Sequence, residues 1–287
     1  MVNMKNMKYT VQKKNDMLVV RMKYKAGWKQ SFLLTSDEHY DNKKCDRKAL
    51  KKHLDEAKEN DWGWISFGDF YDCMGGKWDK RSSKKDIRPE YNKGWYFDEV
   101  RKDVVKFLKP YSGNLIQLTE GNHEASIKLR NEFDILDQTV GQLNKIEGNN
   151  INYGKYQGWI RFIFEHESGG AIRKFDLWYT HGTGGNAPVT RGAIQSARRQ
   201  DMVRADFYIA GHIHTGYELP RPTVILDSEG HEKIIEAEHL QLGTYKQSWN
   251  GAWESQKGFS PAVIGGRVLE FYMANTQIKY RTWRIKK

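Results

Sequence analysis

The sequence predicts a mixed α/β domain in which two β-sheets pack into a central sandwich and helices cover the outer faces. Three observations predict it. Strand-like and helical runs alternate in the first half of the chain, hairpin patterns dominate the second half, and the polar clusters that follow the strands are rich in Asp, His and Gly. The 287 residues contain no internal repeat, low-complexity tract or Pro-rich linker. A single domain over 1–287 is therefore expected, with an inserted loop at about 73–98 and a C-terminal extension at about 250–287.

The elements follow in order. "KYTVQKKNDMLVVRMKY" alternates apolar and polar residues around "KKND", the pattern of a hairpin, and a buried strand then ends near Ser36. Leu50, Leu54 and Ala57 lie at helical spacing in "DRKALKKHLDEAKEND", and "WGWISFGDF" is a short apolar strand. The Gly-, Lys- and Ser-rich stretch 72–92 is the inserted loop, after which "FDEVRKDVVKFLKPYSG" is a helix stopped by Pro110 and Gly113. "NLIQLTEGN" is a strand, and one helical run is expected over 124–143. "GWIRFIFEHESGGAIRKFDLWYTHG" is two strands joined at "ESGG", "AIQSARRQDMVR" a helix, "ADFYIAGHIHTG" a strand, and the stretch from Pro222 to Tyr245 a hairpin turning at "SEG".

With 38% hydrophobic and 29% charged residues, ten Trp and fifteen Tyr, the composition is that of a folded chain, and no apolar run is long enough to span a bilayer. The first sixteen residues contain no secretory apolar stretch, and two cysteines, Cys45 and Cys73, cannot build a disulfide framework or a thiolate zinc site. The expected location is the cytoplasm, of a bacterial or phage-infected cell, without a membrane partner. A formal charge of +11 attracts polyanions such as nucleic acid, or serves only solubility.

The strand ends collect metal-ligating side chains. Asp37 and His39 follow "FLLTS"; Asp69 and Asp72 follow "WISFG"; Asn122 and His123 follow "LIQLTEG"; His181 follows "DLWYT"; His212 and His214 follow "DFYIAG". On an extended strand, side chains at i and i+2 point the same way, so Asp37 with His39, and His212 with His214, are expected to converge in pairs. Carboxylate, imidazole and amide donors together suit a divalent ion such as Mn, Fe or Zn. One bridging Asp could hold two ions roughly 3.5–4 Å apart, the separation used for in-line displacement at phosphorus.

"DEH", "GDFYD", "GNHE", "THG" and "GHIH", in this order, resemble the motif blocks DxH, GDxxD, GNH followed by Asp or Glu, His-Gly, and GHxH of the calcineurin-like metallophosphoesterase superfamily. The blocks span roughly residues 30–216, with the sheets expected to continue to about 250. The resemblance implies that Asp37, His39 and His214 hold one ion, that Asn122, His181 and His212 hold the other, and that Asp69 bridges them. It also implies a metal-bridging hydroxide as nucleophile, His123 over the substrate phosphate as proton donor to the leaving oxygen, and Asp72 as the residue that orients His123 through a hydrogen bond. Two divalent ions are expected, Mn first, with Fe, Zn, Ni or Mg as alternatives.

The first expected activity is a phosphodiesterase, a DNA-binding nuclease; the second a phosphomonoesterase such as a protein phosphatase; the third a nucleic-acid-binding protein whose metals are structural. The long capping domain of repair nucleases and the arginine-bearing extension of phosphatases after GDxxD are both absent; "CMGG" stands in the latter place. Arg191, Arg198 and Arg199, near one helix, are candidate phosphate contacts or a solvated face. Trp78 and Trp95 in the insertion are candidate base-stacking residues, a self-packed loop, or a homodimer contact. His53, His166, His231 and His239 are expected at the surface or in packing.

Overall fold

The computed structural model describes residues 9–74, 86–185, 187, 189–249 and 260–285. Among these residues thirteen strands form the two expected sheets. The first sheet contains β1 (Tyr9–Lys14), β2 (Met17–Tyr24), β7 (Gln157–His166), β8 (Arg173–Thr180), β9 (Phe207–Ala210), β10 (Tyr217–Leu226) and β11 (Glu232–Gln241), in the order β1-β2-β7-β8-β9-β11-β10. The second contains β3 (Lys29–Thr35), β4 (Gly63–Ser66), β5 (Leu115–Thr119), β6 (Asn152–Gly154), β12 (Arg267–Ala274) and β13 (Gln277–Arg284), in the order β13-β12-β3-β4-β5-β6.

Aromatic side chains fill the space between the sheets. The Phe271 ring lies 4.8 Å from Phe162, 5.0 Å from Phe164 and Phe175, and 6.2 Å from Phe32, and Leu34, Ile65, Phe67 and Phe207 are fully buried in the same cluster. Helices α1 (Arg47–Glu59), α2 (Tyr96–Leu108), α3 (Asn122–Asn131) and α4 (Ile135–Leu143) cover the outer face of the second sheet, packing Leu50, Leu54, Val104, Leu136 and Val140 on Leu33, Trp64 and Leu118. Asp46 caps α1 by accepting the Ala49 amide at 3.1 Å. Helix α5 (Ala193–Met202) lies against the first sheet at β10 and β11, where Ser196 Oγ meets the Tyr217 hydroxyl at 3.0 Å and Gln200 reaches Thr223 and His239.

Three expectations are corrected. The single helix over 124–143 is two, because Glu132 turns left-handed at φ 51° and Asp134 caps α4 by accepting the Asp137 amide. The last hairpin starts at Tyr217 rather than Pro222; β10 is the edge strand, so Pro220 and Pro222 can sit within it. The sheets do not end near 250: β12 pairs antiparallel with β3 and with β13, carrying the second sheet to Arg284. Within the insertion, residues 75–85 and hence Trp78 lie outside the described residues. Among the described residues no helix is long and apolar enough to cross a membrane.

Phe271→Ala removes the ring about which the inter-sheet aromatics pack, so a loss of about 3–5 kcal/mol in unfolding free energy is expected from denaturant titration. A loss under ~1 kcal/mol would contradict this reading of the core.

Candidate metal centre

Parallel pairing sets the position of the site. Strands β3, β4 and β5 are parallel neighbours in one sheet and β8 and β9 in the other, so the loops that follow them leave at one edge of the sandwich. Convergence within the loops comes from the backbone, and not from the strand alternation expected. Asp37, His39, Asp69, His212 and His214 all have left-handed φ, at 54°, 45°, 55°, 73° and 58°. Asp and His tolerate this conformation better than most residues, and such strain collects where a site over-determines it.

The glycines of the blocks make room for ligands of other blocks. A Cβ on Gly121 would collide with the Asp69 carboxylate and amide, and one on Gly211 would strike the Ser36 hydroxyl and Asp37 Oδ2. Glycine in "GNH" and "GHIH" is thus a requirement of close approach between blocks remote in sequence.

Two donor clusters result. Asp37, His39 and His214 offer ligand atoms within 4.8 Å of one another; so do Asp69, His181 and His212; and Asp69 also groups with His39 and His123. In the first, His214 Nε2 lies 3.0 Å from Asp37 Oδ1 and 3.4 Å from His39 Nε2. In the second, His181 Nε2 lies 3.1 Å from Asp69 Oδ2 and 3.2 Å from Asn122 Oδ1, which is 2.7 Å from His212 Nδ1.

The outward nitrogen of each ring determines the inward one. A carbonyl or carboxylate only accepts, so His181 Nδ1 donates to the Phe67 carbonyl at 3.0 Å, His212 Nε2 to the Gly184 carbonyl at 3.1 Å, and His39 Nδ1 faces Asp72 Oδ1 at 2.9 Å. The inward-facing nitrogens are then His181 Nε2, His212 Nδ1 and His39 Nε2. Acceptors crowd acceptors, an arrangement that a divalent cation satisfies, and the mixed N,O donor set fits Mn, Fe or Zn.

Burial pushes the Asp37 carboxyl up, but His214 and His181 beside it bring it below the usual carboxylate range; Asp69 is lowered likewise, against burial, by His181 and His123. Burial lowers His181, yet Asp69 and Asp37 outweigh it and lift the imidazole to about 10, so two carboxylates demand positive charge at its Nε2. Burial, with Lys246 nearby, brings His39 down to about 4, and burial with His181 lowers His212. Both carboxylates are thus ionised and these two imidazoles neutral, the states that ligate metal.

His123 sits beside the clusters, its ring 4.8 Å from that of His39 and its Nε2 3.7 Å from Asp69 Oδ2. Its Nδ1 meets the backbone carbonyl of Asp72. That contact comes from the Asp72 backbone, while the Asp72 carboxylate faces His39 Nδ1, Lys246 Nζ at 3.0 Å and Asn42 Nδ2 at 2.9 Å. Left-handed His39 turns its Nδ1 toward Asp72, and the carboxylate pairs there. Asp41 supports the loop by accepting the Asp72 and Cys73 amides and the Tyr96 hydroxyl, at 2.7, 2.9 and 2.8 Å.

The basic and aromatic candidates fare differently. Arg191 and Arg198 are exposed, whereas Arg199 is only 6% exposed, turned beneath α5 as an inward-facing residue of that helix, so it is no surface phosphate contact. Trp95 is 76% exposed beside Tyr96. His53 and His239 are buried in packing, His166 is half-buried with its ring 5.1 Å from Tyr24, and His231 is exposed.

Sequence reasoning missed several residues. Glu124, quoted only as the end of its block, accepts the Asp69, Tyr71 and Gly121 amides at 3.1, 2.9 and 2.9 Å and so holds the second and third blocks together. Tyr156 lays its ring 5.5 Å from His181 and donates to the Gly182 carbonyl. Lys246 carries no motif that could have singled it out.

Gly211→Ala should destabilise the fold by about 1–3 kcal/mol and weaken Mn binding, read by thermal melting and calorimetry; unchanged Mn binding would contradict the close-approach account. Glu38 turns away from the ligands into the core, where Ser66 Oγ donates to it at 2.9 Å, and burial pushes its carboxyl up to about 8. Its folded value exceeds the unfolded one, so the stability it contributes is complete below the unfolded value near ~4.3 and is lost as pH rises through about 8. Metal-free Glu38→Gln should therefore melt above the wild type at pH ~9 and not at pH ~5; equal melting at the higher pH would count against a neutral buried carboxyl.

No family model and no curated protein sequence matches the chain. Among solved structures it is similar to vacuolar protein sorting 29 from Cryptosporidium parvum, at 14% identity over 91% of this chain and 100% of that one, with a TM-score of 0.37. It is similar to GAP50, the anchor in the inner membrane complex of Plasmodium, at 14% identity over 90% of each chain and a TM-score of 0.41. It is also similar to a metallophosphoesterase from Sphaerobacter thermophilus, at 13% identity over 90% of this chain and 89% of that one, with a TM-score of 0.37. In its two-sheet fold and in the order of its five motif blocks, the chain resembles the calcineurin-like metallophosphoesterase superfamily.

Proposed function

We propose that this chain is a dinuclear metal-dependent phosphoester hydrolase acting on phosphodiesters of nucleic acid. The observation that carries the reading is the place of Asp69, which groups with His181 and His212 and also with His39 of the other cluster and with His123. Asp37, His39 and His214 would hold one divalent ion and Asn122, His181 and His212 the other, with Asp69 between them and Mn the first candidate. Ions bound there would lower the pKa of a water and neutralise charge growing on the phosphoryl oxygens.

The protein's own groups supply the rest. With Nδ1 committed to the Asp72 carbonyl, His123 presents Nε2 to the site, placed to give a proton to the leaving oxygen. Burial of both Asp ligands keeps competing water from their oxygens, since Asp37 is fully buried and Asp69 nearly so. The formal charge of +11 and the exposed Trp95 favour a polyanion with stacking bases as substrate.

Mn-loaded protein should cleave bis-p-nitrophenyl phosphate and single-stranded or duplex DNA, with His123→Ala lowering the rate about 10²–10⁴-fold while Mn binding persists. Turnover of p-nitrophenyl phosphate alone would replace this reading by a phosphomonoesterase. No metal-dependent turnover of any of them would leave a binding protein with structural metals.

A further inference from the structure

The chain beyond the last motif block closes the metal centre from the other side. After β11 it returns beneath the first block, where Thr244 Oγ1 and the Tyr245 amide both donate to the Asp37 carbonyl, at 2.6 and 3.1 Å. The Tyr245 carbonyl accepts the Asp46 amide at 2.7 Å, and the Gln247 amide donates to the Lys44 carbonyl at 3.0 Å. This clamp on the left-handed Asp37 fixes the next side chain along. Lys246 Nζ lies 3.0 Å from Asp72 Oδ1, with the lysine side chain 17% exposed and the aspartate 4%.

The same Oδ1 faces His39 Nδ1 at 2.9 Å, while Oδ2 accepts Asn42 Nδ2 at 2.9 Å. A buried carboxylate is costly unless paired and hydrogen-bonded, and Lys246 is the ammonium in contact with this one. Asp72 touches two histidines of different roles, His39 by its carboxylate and His123 by its carbonyl. A shift of Asp72 would therefore move a ligand and the proposed proton donor together.

We propose that Lys246 is a positioning residue of the metal centre: by holding the Asp72 carboxylate it orients His39 with Nε2 toward Asp37 and His214, and so sets the affinity of that cluster for its divalent ion. The inference rests on the metal-centre reading given above. It separates Lys246 from a surface ion pair, because removing its charge acts on one ion rather than on the fold as a whole. The action runs through Asp72, so it disappears where the carboxylate is absent.

Lys246→Met, Lys246→Gln and Lys246→Arg would be compared with the wild type, alone and with Asp72→Asn, by Mn calorimetry, metal content, thermal melting and ¹⁵N spectra of the histidine rings. Lys246→Met should weaken one Mn site about tenfold or more and leave the other near its wild-type affinity. Lys246→Arg should recover most of the loss, and Lys246→Met should add little to Asp72→Asn. The Nδ1–H signal of His39 should shift in Lys246→Met and return in Lys246→Arg. Lys246→Gln keeps a donor without the charge and gives the same reading should Lys246→Met melt early.

Wild-type Mn affinity in a folded Lys246→Met or Lys246→Gln, or an equal loss in the Asp72→Asn background, would overturn the proposal. Two-site Mn binding without phosphoester turnover would overturn the proposed function and leave the role of Lys246 standing. Absence of Mn binding by the wild type would overturn both.

Discussion

The carboxylate of Asp37 is the constraint around which the centre is built. It is fully buried, and every polar atom of the residue is committed. Oδ1 meets His214 Nε2, Oδ2 accepts the Ser36 hydroxyl and the His212 amide at 2.6 and 2.8 Å, the amide donates to Gly68, and the carbonyl takes Thr244 and Tyr245. A charge so placed is tolerated only because it is paired and hydrogen-bonded. Those partners come from the residue before the first motif block, from the second and fifth blocks, and from the loop after β11. Seating one aspartate therefore brings together segments that lie up to two hundred residues apart in the chain.

The architecture serves that seating. Parallel strands in each sheet deliver their loops to one edge, and the aromatic layer around Phe271 holds the two sheets in register beneath them. The left-handed residues are locally unfavourable, and the price is met by the packing below and by the hydrogen bonds of Glu124 and Asp41. Rigid ligand placement follows, since these loops are tied by buried hydrogen bonds rather than left to solvent.

Much of this was legible in the chain. Apolar runs ending in Asp, His and Asn are a local pattern, so the strand ends and the donor set could be read from it, and the five blocks in order pointed to one fold. Other features were not legible. Asp37 with His39 suggested an i, i+2 strand pair, yet both lie in left-handed turns; the spacing was informative and the geometric reason for it was different. Arg199 looked like its neighbours until α5 rotated it inward. The C-terminal hairpin looked like an extension because its partner, β3, lies more than two hundred residues earlier.

By itself the sequence determined the type of each donor, their order, and the strand ends from which they project, because these follow from hydrophobic periodicity and residue chemistry over a few neighbouring positions. Tertiary structure alone decided which ring nitrogen faces inward, which carboxylate supports which histidine, and that Lys246 reaches Asp72. The physical reason is that each of these depends on a contact between segments remote in the chain, made in a low-dielectric interior where one hydrogen bond settles a tautomer or a charge state. No local pattern carries that information.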